Sequence, residues 1–452
     1  MAKTKVSLEI INPHAAGIDV GSRSHYVAIG QGKDDVREFG VYAEDLRALT
    51  DWLIENNVTT VAMESTGTYW QNLYSTLQEA GLQVTLANGK FTKNIQGKKT
   101  DVQDCQWIQK LHSIGLLTGS FLPDAATEQL RTYCRHRSNL IDTSADTIRK
   151  MQKYLRLLNL RLDVVVKDIT GLTGLAIIEA ICSGETNAEA LAAHRHGNCR
   201  KSEEEIAKAL QSNGREDFLF ALQQEYELYQ VLQKKIAKCD IAIEKMLKTE
   251  IKKDPARKSL IAQTKVHKRI NKNAPKNMDM NQVAYQYFNG IDLLDIEGVS
   301  HGTVMTIMSE VGYEGFKKFE TAKQFASWLR LSPNNKISGG KVLSNKIPKG
   351  SNRLKIALRN AANAIGNLKD THLSTFFNRV CFRRGRPAAI SATARKLAVI
   401  IWNMVVKAIP YTPPTIYEFL DQKRKRKVQE MRKLIHKFDI KTDELGLQLN
   451  GL

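Results

Sequence analysis

Three short apolar runs, AGIDV from Ala16, then HYVAIG and VREFGV, succeed one another with too few residues between them to hold a helix. Such runs fold back on themselves as antiparallel strands, and the turn at Gly21 and Ser22 supplies the first reversal. From residue 44 the pattern changes. EDLRALTDWLIEN sets Leu46, Leu49 and Leu53 at helical spacing, and TTVAMES returns to strand. The apolar positions of YWQNLYSTLQEAG recur at three and four up to a stop at Gly81, and QVTLAN is a fifth strand. A meander followed by strand–helix repeats dictates a mixed sheet, because a strand reached through a helix lies parallel to the one before it. The first strand is then central.

That order, βββαβαβ with a further helix behind it, resembles the ribonuclease H-like fold, and it gives four carboxylates a place to meet. Asp19 ends the first strand in GIDVG and Glu64 ends the fourth in AMESTG. Asp101 and Asp104 stand three apart in KTDVQD, on one face of the following helix. The first and fourth strands are neighbours in such a sheet, so Asp19 and Glu64 are expected side by side with the helix docked over them. Bare carboxylates that close repel, and each raises the other's pKa. Two Mg²⁺ ions about 4 Å apart relieve the repulsion and hold the attacking and leaving oxygens of a phosphodiester. Four surface acids on an unrelated α/β domain are the alternative, but a buried strand end rarely carries a carboxylate without a partner. Lys98, Lys99 and Thr100 stand where the amino terminus of the helix would receive a phosphate.

Charge points the same way. The 67 basic residues against 47 acidic ones leave a net +20, which attracts a phosphate backbone and makes binding fall with salt; a basic enzyme without a nucleic-acid partner has the same balance. A chain of 452 residues holds more than one core, so residues 10–120 are expected to form the α/β domain with others behind it. Six cysteines without regular spacing suit a reducing compartment, and neither a signal-peptide core nor a membrane-spanning run stands out. A cytoplasmic location is expected. No glycine-rich phosphate loop ending in Lys-Ser or Lys-Thr occurs, so the chemistry need not draw on nucleotide hydrolysis.

Residues 121–290 read as an elongated, helical, coiled-coil-like region. Leu130, Cys134, Ile141, Ile148, Met151, Leu155 and Leu158 carry a rough three-and-four periodicity, and FLFALQQEYELYQVLQKKIAKCDIAIEKMLK carries it over more turns. Helices of that length with repeated apolar seams suggest an oligomerisation arm, with an ordinary helical domain as the alternative. The basic, breaker-rich KKDPARKSLIAQTKVHKRINKNAPKNMDMNQ reads as a loop. Cys182, His194, His196 and Cys199 have zinc-type side chains, but their spacing favours unrelated helix and loop residues.

Residues 291–410 read as a mainly α domain and 411–452 as a basic tail containing KRKRK. In DIEGVSHGTVMTIMSEVG a glycine turn between short helices resembles a helix-hairpin-helix, whose amides grip a phosphate without reading bases. SPNNKISGGK and NKIPKGSNRL set Ser338 on a glycine turn with Lys341, Lys346, Lys349 and Arg353 about it. A hydroxyl so placed can attack a phosphate while the cations stabilise developing charge, and it can equally be a loop serine. Arg359, Arg383, Arg384, Arg386 and Arg395 are candidate backbone contacts, expected near helix starts, where a cation opposes the helix dipole unless an anion is bound.

Together GIDVGSRSHYVAI, AMESTGTYW, LQEAGLQVTLAN and KTDVQDC resemble the amino-terminal DEDD domain of the IS110/IS1111 family of insertion-sequence transposases. DIEGVSHGTVMTIMSEVG, the SGGK segment, PKGSNRLKIALRNAA and ISATARKLAVIIW resemble that family's carboxy-terminal transposase domain. The resemblance implies a RuvC-like domain with Asp19, Glu64, Asp101 and Asp104 as its metal-binding tetrad, and a nucleophilic serine in the second domain, matched here by Ser338. It also implies a homo-oligomer, dimer or tetramer, working on donor and target DNA with an element-encoded bridge RNA in a prokaryotic cell, at the nucleoid. The sequence departs from the family pattern at IPKG, where Pro348 replaces the usual hydroxyl residue, and in EGVSHG, which lacks a usual proline. The implied reaction is Mg²⁺-dependent strand cleavage and rejoining through a phosphoserine. The alternative is a RuvC-like, structure-selective DNA endonuclease in which the same acids activate water; a nucleic-acid-binding protein that has kept only the fold is a third reading.

Overall fold

The structure, a computed structural model, describes residues 9–92, 100–262, 271–350, 352–413 and 416–440. They fall into two compact units, Met1–Leu122 and Pro123–Leu452.

In the first unit β1 (Ala15–Val20), β2 (His25–Ala28) and β3 (Val36–Phe39) form an antiparallel meander. Then come α1 (Ala43–Glu55), β4 (Thr60–Glu64), α2 (Trp70–Glu79), β5 (Gln83–Ala87), the single turn α3 (Gly89–Thr92) and α4 (Asp101–Ser113). The strand order is β3-β2-β1-β4-β5, with β4 parallel to both its neighbours, so β1 is central as the element order requires. One face of the sheet sets Ile18, Val20, Val27, Val61, Met63 and Leu86 in a core with Leu46, Leu49 and Leu53 of α1 and Leu73 and Leu77 of α2. Burial of each such side chain is worth about 1.5–3 kcal/mol.

Alternation along the strands sends the intervening residues to the other face. There Ala28, Gly17 and Ala62 stand in one row by register, all small. The row lets α4 approach closely: a Cβ on Gly17 would lie 2.5 Å from the Cys105 carbonyl oxygen and 2.7 Å from the Gln109 Cα. Gln109 Nε2 donates to the Ala15 carbonyl at 3.2 Å, and the amides of Ile11 and Asn12 donate to the Ser113 carbonyl. The carboxy end of α4 is thereby fixed beside the start of β1, and its amino end lies over the far end of that strand.

The second unit is built on α5 (Ala125–Leu157) and α10 (Glu216–Lys252), which run antiparallel. Lys150 Nζ meets Glu225 Oε1 at 3.0 Å, Gln233 Nε2 donates to Ser144 Oγ at 3.0 Å, and Arg137 pairs with Asp240. Between them in sequence, α6 (Leu162–Val165), α7 (Leu172–Cys182), α8 (Ala188–Ala192) and α9 (Glu203–Ala209) close a core over Met151, Leu155, Leu222, Tyr226 and Tyr229. This pairing and this cap bury part of the apolar seam, while Phe220, Leu228, Val231 and Ile241 of α10 stay exposed. Cys182 and Cys199 pack against the same core. Among the described residues no three His, Cys, Asp or Glu side chains are placed to hold a metal ion.

Part of the basic stretch read as a loop is ordered by caps. Asp254 caps α11 (Pro255–Ser259), with proline at the first helical position, and Asp279 caps α12 (Met280–Tyr287). The Asn273 carbonyl accepts from Arg137 Nη2 at 2.8 Å; residues 263–270 lie outside the described ones. A 3₁₀ turn at Leu293–Asp295 precedes α13 (His301–Glu310), and a second at Glu314–Lys318 precedes α14 (Ala322–Trp328). The hairpin β6 (Lys336–Ser338) and β7 (Lys341–Ser344) leads to α15 (Arg353–Ile365), α16 (His372–Arg384), α17 (Arg386–Lys407) and α18 (Ile416–Phe438). Helix α5 is tied to α13: Arg135 Nε and Nη2 donate to the Glu310 carboxylate at 2.9 and 2.7 Å, and Arg131 Nη2 to the Glu310 carbonyl at 2.8 Å. Among the described residues only α17 is long and apolar enough to cross a membrane, and half of its most apolar stretch is buried. It packs on α14, α15 and α16, as the central helix of the carboxy-terminal bundle.

Candidate functional site

Two residues along each strand from the small row, the same face of the sheet turns polar. Asp19 stands opposite Tyr26, and Tyr26 opposite Glu38. With Ile18 paired to Met63, the parallel register carries Glu64 alongside Asp19. Residues paired across strands share a face, so Glu64, Asp19, Tyr26 and Glu38 form one row on the α4 side. Helix α4 begins over that row. Thr100 caps it, its hydroxyl accepting from the Gln103 amide at 3.3 Å, and Asp101 and Asp104 occupy the first turn, where the helix dipole favours negative charge.

The electrostatics tie three of the acids, Asp19, Asp101 and Asp104, to this end of the sheet. Burial pushes the Cys105 thiol up to about 12, and the carboxylates of Asp19 and Asp104 both push it the same way. The Tyr26 hydroxyl is raised first by its hydrogen bond to Glu38, and Asp101 adds to the rise. Glu38 is lowered by the hydroxyls of Ser24 and Tyr26, which donate to it. Asp19, Glu64 and Asp104 are half-buried and Asp101 is exposed. Tyr26 and Glu38 were not singled out from the sequence; the signal was there, since both keep the two-residue alternation of HYVAI and VREF in step with Asp19.

The donor set, carboxylate oxygens only, is the kind a hard divalent cation takes. The backbone brings the four acids to one end of the sheet, yet no three side chains converge tightly enough to share an ion among the described residues. The Glu64 Oε2 accepts from Thr92 Oγ1 at 2.5 Å and its Oε1 from Thr66 Oγ1 at 3.4 Å.

In the second unit Ser338 ends β6 and pairs with Lys341 across Gly339 and Gly340. Both glycines have positive φ, 54° and 74°, as a two-residue type I′ turn requires. Ser338 and Lys341 are exposed. The segment behind the hairpin is held by its backbone: the Lys346 carbonyl accepts from the Asn334 amide at 3.1 Å, and the Lys349 carbonyl from Arg330 Nη1 at 2.5 Å. Lys355, buried, donates from Nζ to the Pro348 carbonyl at 3.1 Å; burial lowers its pKa, with Arg359 and Arg330 adding to the effect.

Of the candidate contacts, Arg353 and Arg386 do open helices. Arg383 and Arg384 lie instead in the last turn of α16, and Arg395 lies within α17. A cation at a helix carboxy terminus is favoured by the dipole, so these positions do not require the anion that a helix start would imply. Arg359 donates to Ser391 Oγ at 2.6 Å, and Arg386 to the side-chain carbonyls of Asn363 at 2.7 Å and Asn367 at 3.0 Å, so both also brace α15. Lys98 and Lys99 lie outside the described residues.

The EGVSHG turn joins a three-residue 3₁₀ turn to α13, not two α-helices. Gly298, at φ 76°, is a packing glycine: a Cβ there would lie 2.7 Å from the Ala361 carbonyl oxygen of α15. The amino end of α13 lines an open groove of about 720 Å³ together with Arg135, Asn271, Asn273, Arg353 and Asn360. Of these only Arg353 was marked by the sequence, because the others come from segments far apart in the chain.

A family model of IS110-type DEDD transposases, described as transposase, matches residues 16–159. A second, described as transposase of the IS116/IS110/IS902 family, matches residues 292–378. No curated protein matches the chain.

Proposed function

The chain belongs to the IS110 family of transposases, and on that premise we propose that it cleaves and rejoins DNA strands at the polar end of its sheet, in a RuvC-like site that uses Mg²⁺. The observation that carries the reading is the β1–β4 register, which sets Glu64 alongside Asp19 under the acidic first turn of α4. Asp19, Glu64, Asp101 and Asp104 would hold the cations, which when bound supply the positive charge that a phosphodiester in transfer requires.

Ser338, presented at the tip of an exposed hairpin beside Lys341, is the proposed nucleophile. Its oxygen bonds to the scissile phosphorus as the bond to the 3′ oxygen breaks, and the released 3′-hydroxyl of the exchanged strand later reverses the step, returning the serine. Bond energy is conserved in the phosphoserine, so no nucleotide is consumed. Lys341, Lys346, Lys349, Arg353, Arg359, Arg383, Arg384, Arg386 and Arg395 are proposed to contact nucleic-acid backbones, with Lys98 and Lys99 at the approach to α4. A homo-oligomer, donor and target DNA, an element-encoded bridge RNA, and the cytoplasm of a prokaryote as the setting complete the reading by family likeness.

Covalency is the test. A nicked DNA substrate carrying an element end, incubated with Mg²⁺ and the RNA transcribed from the element, is expected to trap the protein as an adduct that Ser338→Ala abolishes and Asp19→Ala never forms. Cleavage at undiminished rate by Ser338→Ala, with no adduct from the wild type, would move the reaction to water as nucleophile. No cleavage or joining by the wild type would remove the catalytic reading altogether.

A further inference from the structure

We propose that Gly89 and Thr92 of α3 form a cradle that sets the orientation of the Glu64 carboxylate, and that both are positioning residues for the divalent cation. The proposal rests on the reading of Glu64 as a member of the metal-binding tetrad. Ala87, at the end of β5, pairs with Glu64, so the turn of helix that follows β5 begins beside that side chain. Residues 89 and 92, three apart, lie on one side of that turn. Thr92 is buried, and its hydroxyl donates to Glu64 Oε2 at 2.5 Å. Gly89 leaves the space the other oxygen occupies: a Cβ there would lie 3.0 Å from Glu64 Cδ and nearer still to Oε1. The two contacts divide the work. Thr92 fixes one oxygen, and the missing side chain of Gly89 leaves room for the other, which accepts from Thr66 Oγ1 at 3.4 Å. Carboxylate ligands are ordinarily held by a hydrogen bond from outside the metal's own shell, and loss of such a partner typically costs about 10–100-fold in metal affinity.

The experiment is Mn²⁺ binding to the full chain without nucleic acid, followed by isothermal titration and by loss of the free-ion paramagnetic resonance signal. Thr92→Val is expected to weaken Mn²⁺ by about tenfold or more, and Thr92→Ser, which keeps the hydroxyl, to restore most of it. Gly89→Ala is expected to weaken Mn²⁺ comparably with an unchanged melting temperature, because only the flexible end of Glu64 must move. Should Thr92→Val lower the melting temperature, Gly89→Ala and Thr92→Ser decide. Mn²⁺ binding equal to or tighter than wild type in Thr92→Val or Gly89→Ala overturns the cradle. Asp19→Asn and Glu64→Gln separate the two levels: if neither weakens Mn²⁺, the tetrad reading itself fails, whereas if both do and the α3 variants do not, only the cradle fails.

Discussion

Gly17 of β1 lies so close beneath Gln109 of α4 that no side chain fits between them: a Cβ would come within 2.7 Å of the Gln109 Cα. This approach sets the height at which Asp101 and Asp104 stand above Asp19, so packing and chemistry meet at one glycine. Gly17→Ala puts a methyl against backbone, which cannot swing aside as a side chain would. The expected cost is about 1–3 kcal/mol of unfolding free energy, read from chemical denaturation, as for other overpacked cores. Because relief comes through displacement of α4, Mn²⁺ affinity should fall in the same variant even where it remains folded.

A second packing relation in the other unit is ionic. Arg137 and Asp240 are both buried, 6 % exposed each, and join α5 to α10, with Arg137 also donating to the Asn273 carbonyl. Removing one partner strands a charge: Asp240→Ala should destabilise the second unit by about 3–5 kcal/mol. Replacing both, as Arg137→Met with Asp240→Leu, should recover most of that loss, because no uncompensated charge then remains. Urea titration of the three proteins followed by circular dichroism distinguishes these outcomes; equal losses in the single and double variants would show that the pair stabilises beyond its desolvation cost.

The first unit was legible because its signals are local and of two periods. HYVAIG and VREFGV alternate, EDLRALTDWLIEN repeats at three and four, and the strand order follows from the way such elements connect. Placing Asp19 beside Glu64 needed nothing further. Where the carboxylate of Glu64 goes did need more, because Thr92 and Gly89 belong to a single helical turn too short to carry a period. In the second unit the seam of α10 was visible, but sequence does not say which helix meets it, and within the chain α5 meets part of it. Arg383 and Arg384 misled for a related reason. The break at Gly385, φ 80°, is both the end of α16 and the start of α17, so cations before it gain from a helix dipole that cations after it oppose.

Acid should loosen the first unit through two buried histidines. His25, with Nδ1 lacking a hydrogen-bond partner among the described residues, and His112, whose Nε2 lies 2.9 Å from Thr60 Oγ1, both have pKa values lowered from 6.5 by burial. In the unfolded chain each protonates at its ordinary value, so below about pH 6.5 the unfolded state binds more protons than the folded one. Their neutral burial therefore costs nothing above that pH, and stability declines as pH falls below it until the folded-state values are reached. The melting transition of the first unit should drop between pH 7.5 and 5. His25→Val, which removes one titrating group from a site lined by Val20 and Phe39 in register, should flatten that drop. A variant with the wild-type pH slope would show that His25 does not contribute.

Salt dependence and stability together separate the arginines that only face outward from those that also brace the fold. Arg383 and Arg384 are exposed in the last turn of α16, whereas Arg359 and Arg386 are already engaged with Ser391, Asn363 and Asn367. Each phosphate neutralised by a cation contributes about −0.9 to the slope of log K against log salt on duplex DNA. If Arg383 and Arg384 meet phosphates, Arg383→Gln with Arg384→Gln should weaken binding for all sequences alike and make the slope shallower by about 2, with the melting temperature unchanged. Arg386→Gln should in addition lose about 1 kcal/mol of stability with its hydrogen bonds to α15. Fluorescence anisotropy of a labelled duplex over a salt series, run beside thermal melts, reads both quantities. An unchanged slope in the Arg383, Arg384 double variant would remove the end of α16 from the nucleic-acid surface and leave the exposed cations of the β6–β7 hairpin to account for it.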